Sequence, residues 1–192
     1  MITNDILRRL CYALQLNDAT VLQLLASGPQ QSAPTPADLA AWFLKDDEAG
    51  FRPMPGGQLL TFLDGLILLC RGPRDEAAGT EAPASDTSKS GGIKSASNPA
   101  ADNNLVLKKI RIALSLQEQD LLDIMQLAGI SVSKNELSAL FRKPGQRNYV
   151  ECMDQFLRNF LAGLNRYRQA GKLRGWPPAG LTRGGATTAS DS

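Results

Sequence analysis

The sequence predicts an all-α protein: two homologous four-helix repeats packed together, joined by a disordered linker and followed by a flexible C-terminal tail. Three observations predict it. The stretch from Glu136 to Leu164 has a weaker copy from Asp38 to Leu66. Apolar residues recur at three- and four-residue spacing through both halves, the pattern of helices with one buried face. Between the halves lies a segment of Gly, Ala, Ser, Pro and Thr with almost no large apolar residue.

The repeat is explicit at the level of residues. At an offset of 98, Leu39, Phe43, Phe62, Gly65 and Leu66 meet Leu137, Phe141, Phe160, Gly163 and Leu164. Upstream the offset becomes 100, and Asn4, Leu7, Ala13, Leu14 and Leu22 meet Asn104, Leu107, Ala113, Leu114 and Leu122. The change falls in the loop around Gly28 to Pro34, where an insertion is tolerated. The expected division is repeat 1 at 1–72, linker at 73–102, repeat 2 at 103–168 and tail at 169–192.

In order along the chain, Asn4 or Asp5 can cap a first helix that buries Ile6, Leu7, Leu10, Ala13 and Leu14 and turns Arg8 and Arg9 outward. Asn17 or Asp18 caps a second helix through Val21, Leu22 and Leu25. Thr35-Pro36-Ala37-Asp38 reads as a helix start, with the threonine at the cap and proline in the first turn. That short third helix carries Leu39, Trp42 and Phe43 inward. An acidic turn, Asp46-Asp47-Glu48, and a proline-containing connector lead to a fourth helix from about Gln58 to Arg71. Its core, Leu59 to Cys70, is about a dozen residues interrupted by Asp64, whereas a membrane span needs roughly 20 apolar residues. It reads as a buried helix.

Residues 73–102 cannot bury enough apolar surface to offset the entropy of ordering them, which is why a disordered linker is expected. The second copy repeats the plan. Leu107, Ile110, Ala113 and Leu114 form the buried stripe of its first helix, with Lys108, Lys109 and Arg111 largely on the other side. Ser133 and Glu136 make a capping box, and Asn148 with Glu151 suggests another for the last helix. Gly65 and Gly163 sit inside the last helix of each copy, where glycine costs about 1 kcal/mol relative to alanine. Their recurrence points to close approach of another helix.

Charge separates the copies. Residues 1–72 hold five basic and seven acidic side chains, and residues 103–175 hold twelve basic and six acidic. Chemistry-bearing patterns are scarce. The chain has no histidine, and neither dinucleotide-binding nor phosphate-loop glycine patterns occur. Cys11, Cys70 and Cys152 lack the spacing of a zinc site or disulfide framework, so buried apolar thiols are expected. Catalytic residues, metal ligands and cofactors are therefore not assigned, and a non-enzymatic binding role is expected. The amino-terminal segment shows no apolar run of a signal peptide, which points to the cytoplasm.

Two kinds of partner stay open. The helix, Gly129-containing turn and helix of the second copy resemble a helix-turn-helix in outline. Lys134 and Asn135 lie in the opening turn of its second helix, flanked by Arg142, Lys143 and Arg147, a candidate nucleic-acid-binding set. The alternative is a protein-interaction or adaptor module offering an apolar seam to a partner helix. Trp176, beyond the last helix, is positioned to dock on the domain or on a partner.

The runs NDILRRL at 4–10, FLDGL at 62–66, LKK at 107–109, LSALFRK at 137–143, NYVEC at 148–152 and DQFLRNFLAGL at 154–164 resemble the bacterial YehS-like proteins. The resemblance covers about residues 1–72 and 103–168. It implies a cytoplasmic protein with two copies of a helical domain, and it supplies no catalytic residues. The long Ala/Ser/Gly linker, the segment Phe51 to Gly57 and the tail after Arg168 depart from the family's usual form.

Overall fold

The computed structural model describes residues 2–27, 34–72, 102–178 and 181. The expected linker, apart from Asp102, lies outside the described residues, as do most of the loop at 28–34 and the end of the tail. Among the described residues all regular structure is helical. The first repeat comprises α1 (Thr3–Leu14), α2 (Asp18–Ala26), α3 (Pro36–Phe43) and α4 (Gly56–Arg71). The second comprises α5 (Asn103–Ala113), α6 (Glu118–Leu127), α7 (Lys134–Leu140) and α8 (Asp154–Gln169).

Local signals explain most helix ends. The Asn17 side chain accepts from the Thr20 amide at 2.8 Å and starts α2. Ser133 with Glu136 forms the expected capping box, and at the equivalent position the expected threonine cap, Thr35, is completed into a second box by Asp38. Two expected caps are not caps. Helix α1 starts after Ile2, and Asn4 is fully buried within it. Helix α8 starts at Asp154, after Met153, so Asn148 and Glu151 play no part in capping it. Asn148 instead adopts φ 61°, matching the φ of 93° at Gly50 one repeat earlier. The turn needs a left-handed residue there, and asparagine reaches that region more cheaply than most side chains.

Burial of Asn4 and Asn104 has a specific reason. Asn4 Nδ2 donates to the carbonyls of Trp42 (3.0 Å) and Arg52 (2.8 Å), and its Oδ1 accepts from the Met54 amide at 2.8 Å. Asn104 Nδ2 donates to the carbonyls of Leu140 (2.8 Å) and Val150 (2.9 Å), and its Oδ1 accepts from the Cys152 amide at 2.7 Å. One carboxamide in each repeat thus holds both ends of the connector that leads into the last helix. Its two donors and its acceptor suit three backbone groups that would otherwise be buried unpaired.

The repeats interlock. Helix α2 packs on α4, and α6 packs on α8, within each repeat. Between repeats, α1 lies along α8 and α4 lies along α5. Each first helix is therefore covered mainly by the other repeat's last helix, and a single apolar cluster includes Leu10 and Phe62 from one repeat and Leu107 and Phe160 from the other. This corrects the outward placement of Lys109, whose side chain is only 18% exposed and pairs with Asp64 across the α4–α5 contact. At the equivalent α1–α8 contact, Arg158 lies 3.7 Å from Asp5. Arg8 also turns back onto the fold, donating to the Leu44 carbonyl at 3.0 Å.

Gly65 and Gly163 have the role their recurrence suggests. A Cβ on Gly65 would overlap the carbonyl of Leu24 in α2, and one on Gly163 would overlap the carbonyl of Ile124 in α6. Backbone meets backbone at both crossings. After α8 the chain stays on the fold for several residues: Leu173 is buried and Trp176 packs against the core. The flexible tail expected from residue 169 thus excludes this stretch: Trp176 docks on its own domain, one of the two sites open to it, and Leu173 finds apolar surface that local composition does not reveal.

Two substitutions test these contacts. Gly163→Ala should lower stability by about 1–3 kcal/mol through overpacking, despite the gain in helix propensity; urea denaturation would show it, and an unchanged midpoint would refute the close crossing. Asn104→Ala removes three buried hydrogen bonds and should cost on the order of 3 kcal/mol, with the near-ultraviolet circular dichroism retained at low temperature.

Candidate functional site

The candidate residues flank α7 at its two ends. Lys134 and Asn135 open α7 and are exposed. The Lys134 side chain is 71% exposed and its Nζ lies 3.5 Å from Glu118 Oε1. Arg142, Lys143 and Arg147 are exposed on the turn that follows α7. Arg142 Nη1 donates to the Arg147 carbonyl at 2.7 Å, and the Lys143 amide donates to Gln146 Oε1 at 3.1 Å, which ties the turn together.

Repeat 1 builds the same turn with opposite charge. There the Lys45 amide donates to Glu48 Oε2 at 2.8 Å, Glu48 standing where Gln146 stands in the second copy. The sequences are Leu44-Lys45-Asp46-Asp47-Glu48-Ala49 and Arg142-Lys143-Pro144-Gly145-Gln146-Arg147. One turn carries three carboxylates and one cation; its equivalent carries three cations and no carboxylate. A shared hydrogen-bond frame thus presents opposite electrostatic faces.

A second cluster of cations escaped the sequence reading. Arg71 at the end of α4 lines one cleft with Lys108 and Arg111 of α5 and Phe141. Lys108 and Arg111 are visible as helix-face cations, but Arg71 belongs to the other repeat. No local signal could have joined them, since the α4–α5 packing alone does so.

A largely apolar groove, to which Glu136 and Glu151 also contribute, lies beside α7. Ile130, Val132, Leu140, Val150, Met153 and Phe156 border this groove of about 400 Å³, with Val150 50% and Met153 67% exposed. Equivalent positions 52, 55 and 58 in repeat 1 are Arg, Pro and Gln, so this surface is particular to repeat 2.

Burial pushes the Cys11 and Cys152 thiols up to about 12 and the Cys70 thiol to about 11. Such thiols remain protonated near neutral pH, which is the opposite of an activated nucleophile. The capping hydrogen bonds from Thr35 and Ser133 hold Asp38 and Glu136 below their usual range. Tyr167 of α8 is buried, its hydroxyl donating to Asp120 Oδ1 at 2.6 Å. Burial first, then this hydrogen bond and the carboxylate's charge, raises its pKa to about 12.

Fold and surface together define a class: a duplicated helical domain whose copies share a backbone frame, exchange helix contacts and differ in surface charge. The family follows from comparison. A model described as protein of unknown function (DUF1456) matches residues 3–72 and 103–169, and the chain belongs to this family. The matched segments hold α1–α4 and α5–α8 respectively. The chain is 40% identical over 164 residues to the uncharacterized protein YehS of Escherichia coli (strain K12), covering 85% of this chain and 94% of that protein. No solved structure matches.

Tyr167 generates a pH prediction. Because its folded pKa lies above the unfolded value near 10, its contribution to stability is complete below pH 10 and is lost as pH rises toward about 12. Chemical denaturation from pH 9 to pH 12 should show this decline, and a smaller one in Tyr167→Phe; equal slopes would refute the assignment.

Proposed function

We propose that the protein acts by binding, not by catalysis, and that the basic edge of the second repeat binds nucleic acid through its phosphates. The observation that carries this reading is the charge inversion at the turn after α7. Arg142, Lys143 and Arg147 project from a hydrogen-bonded frame, and Lys134 extends the same edge. A cluster of like charge attracts a polyanion and releases its counterions on binding. Asn135, exposed in the first turn of α7, adds a carboxamide able to hydrogen-bond a phosphate or a base edge. A cytoplasmic location, expected from the sequence, belongs to this reading; no helix among the described residues is long and apolar enough to cross a membrane.

The helix-turn-helix likeness takes a limited form. The connection from Ala128 to Ser133 is six residues and α7 is seven residues long. The usual motif turns in three or four residues, and seven helical residues extend only about 10 Å. Phosphate contact, with α7 presenting its first turn, fits this shape better than a long helix read along a groove.

The apolar groove favours a second reading, a protein partner whose amphipathic helix covers Val150 and Met153. The two separate by salt. With four cations engaged, the logarithm of oligonucleotide affinity should fall against the logarithm of salt with a slope of roughly −3 to −4. Lys134→Glu, Arg142→Glu and Lys143→Glu together should abolish binding in fluorescence anisotropy. Salt-insensitive association lost in Val150→Glu with Met153→Glu, and retained in the charge-reversed variant, would favour the protein partner.

A further inference from the structure

Because each last helix lies along the other repeat's first helix, the fold contains two equivalent clefts at the repeat boundary. One is walled by Arg8, Cys11, Tyr12, Phe43, Arg168 and Gln169. The other, about 320 Å³, is walled by Arg71, Lys108, Arg111, Ile112, Gln117 and Phe141. They correspond position by position: Arg8 with Lys108, Cys11 with Arg111, Phe43 with Phe141 and Gln169 with Arg71. The frame is shared, so differences in chemistry stand out.

In the first cleft each cation is engaged within the fold. Arg8 pairs with Asp5 at 2.9 Å and donates to the Leu44 carbonyl, while Arg168 Nε donates to the Ala13 carbonyl at 2.5 Å. Asp18 adds a carboxylate to the wall. The second cleft carries three cations, and among the described residues no carboxylate lines it. Arg111 is oriented by two contacts: its guanidinium sits 4.7 Å from the centroid of the Phe141 ring, and its Nε donates to the Leu116 carbonyl at 3.3 Å. Its Nη groups, the Lys108 ammonium and the Arg71 guanidinium have no hydrogen-bond or ion-pair partner among the described residues.

We infer that this cleft is a phosphate-binding site shared by the two repeats, with Arg71 supplied by repeat 1 and Lys108 and Arg111 by repeat 2. Three cations facing one concavity repel each other until an anion enters, and a concave wall concentrates their field. Two guanidinium groups suit the oxygens of a phosphate, and stacking on Phe141 pre-orients one of them at little entropic cost. The cleft also adjoins the proposed nucleic-acid face: Phe141 precedes Arg142, and Gln117 precedes Glu118, the partner of Lys134. Phosphate chemistry is common to a free ion, a mononucleotide and a strand terminus. Only its source on a strand rests on the function proposed above.

The test uses isotopically labelled full-length protein followed by amide NMR. Sodium phosphate, titrated against sodium chloride of equal ionic strength, should give saturable shifts at Ile112, Gln117 and Phe141 and none at Tyr12 and Phe43. Arg71→Gln with Lys108→Gln, both exposed, should weaken this binding roughly tenfold or more while leaving the remaining spectrum intact. A mononucleotide and an oligonucleotide with and without a 5′-phosphate then identify the source. Shifts that chloride reproduces, or that the double variant retains, overturn the inference. Oligonucleotide binding through Arg142 and Lys143 without a phosphate-specific shift overturns it while leaving the proposed function standing. Phosphate binding at the cleft with no oligonucleotide binding supports it and removes the proposed function.

Discussion

One buried carboxamide per repeat decides how the last helix begins. Asn4 and Asn104 each gather one carbonyl from the end of the third helix, Trp42 or Leu140, and a carbonyl and an amide from the irregular connector that follows it. A connector without ladder or helix hydrogen bonds must satisfy its buried polar groups some other way, and leaving them unpaired costs more than a typical hydrogen bond returns. By holding both ends of the connector, the asparagine aims α4 or α8 toward the opposite repeat. Glycine then lets that helix settle against the backbone of α2 or α6.

Interlocking follows from that aim. The apolar stripe of α1 is covered mainly by α8, and that of α5 by α4, so the two copies share one cluster of buried side chains. Ion pairs reinforce both seams, Asp64 with Lys109 at one and Asp5 with Arg158 at the other. At such partly exposed sites their value lies more in register than in stability. Association of the copies thus depends on packed apolar area, with charge refining it.

Against this symmetric frame, surface chemistry differs at three matched places. The turn after the third helix is acidic in one repeat and basic in the other. The boundary cleft beside α1 holds cations tied to carboxylate or carbonyl oxygens, whereas in the other Lys108 and Arg71 have no such partner among the described residues. The edge around Val150 and Met153 is apolar where its counterpart carries Arg52, Pro55 and Gln58. All three departures fall in or beside the second repeat. Equivalent backbones with unlike surfaces mean that the two repeats differ in side-chain chemistry and not in frame.

Much of the fold was legible along the chain because its causes are local. Apolar spacing locates the helices, Thr35 with Asp38 and Ser133 with Glu136 mark two starts, and glycine recurring inside a helix signals a crossing. The exposed set Lys134, Asn135, Arg142, Lys143 and Arg147 was legible too, since charge in a short helix and turn stays in solvent. Asn4, Asn148 and Lys109 lie elsewhere than local pattern suggests, for a common reason. Asparagine looks alike as a cap, a left-handed turn residue or a buried clamp, and a lysine on the far side of one helix face is covered only when another repeat supplies the cover. The meeting of Arg71 with Lys108 and Arg111 was likewise decided by tertiary structure. Sequence alone determined the elements and their duplication; which surfaces face one another depended on contacts between residues tens of positions apart, whose energy no local pattern records.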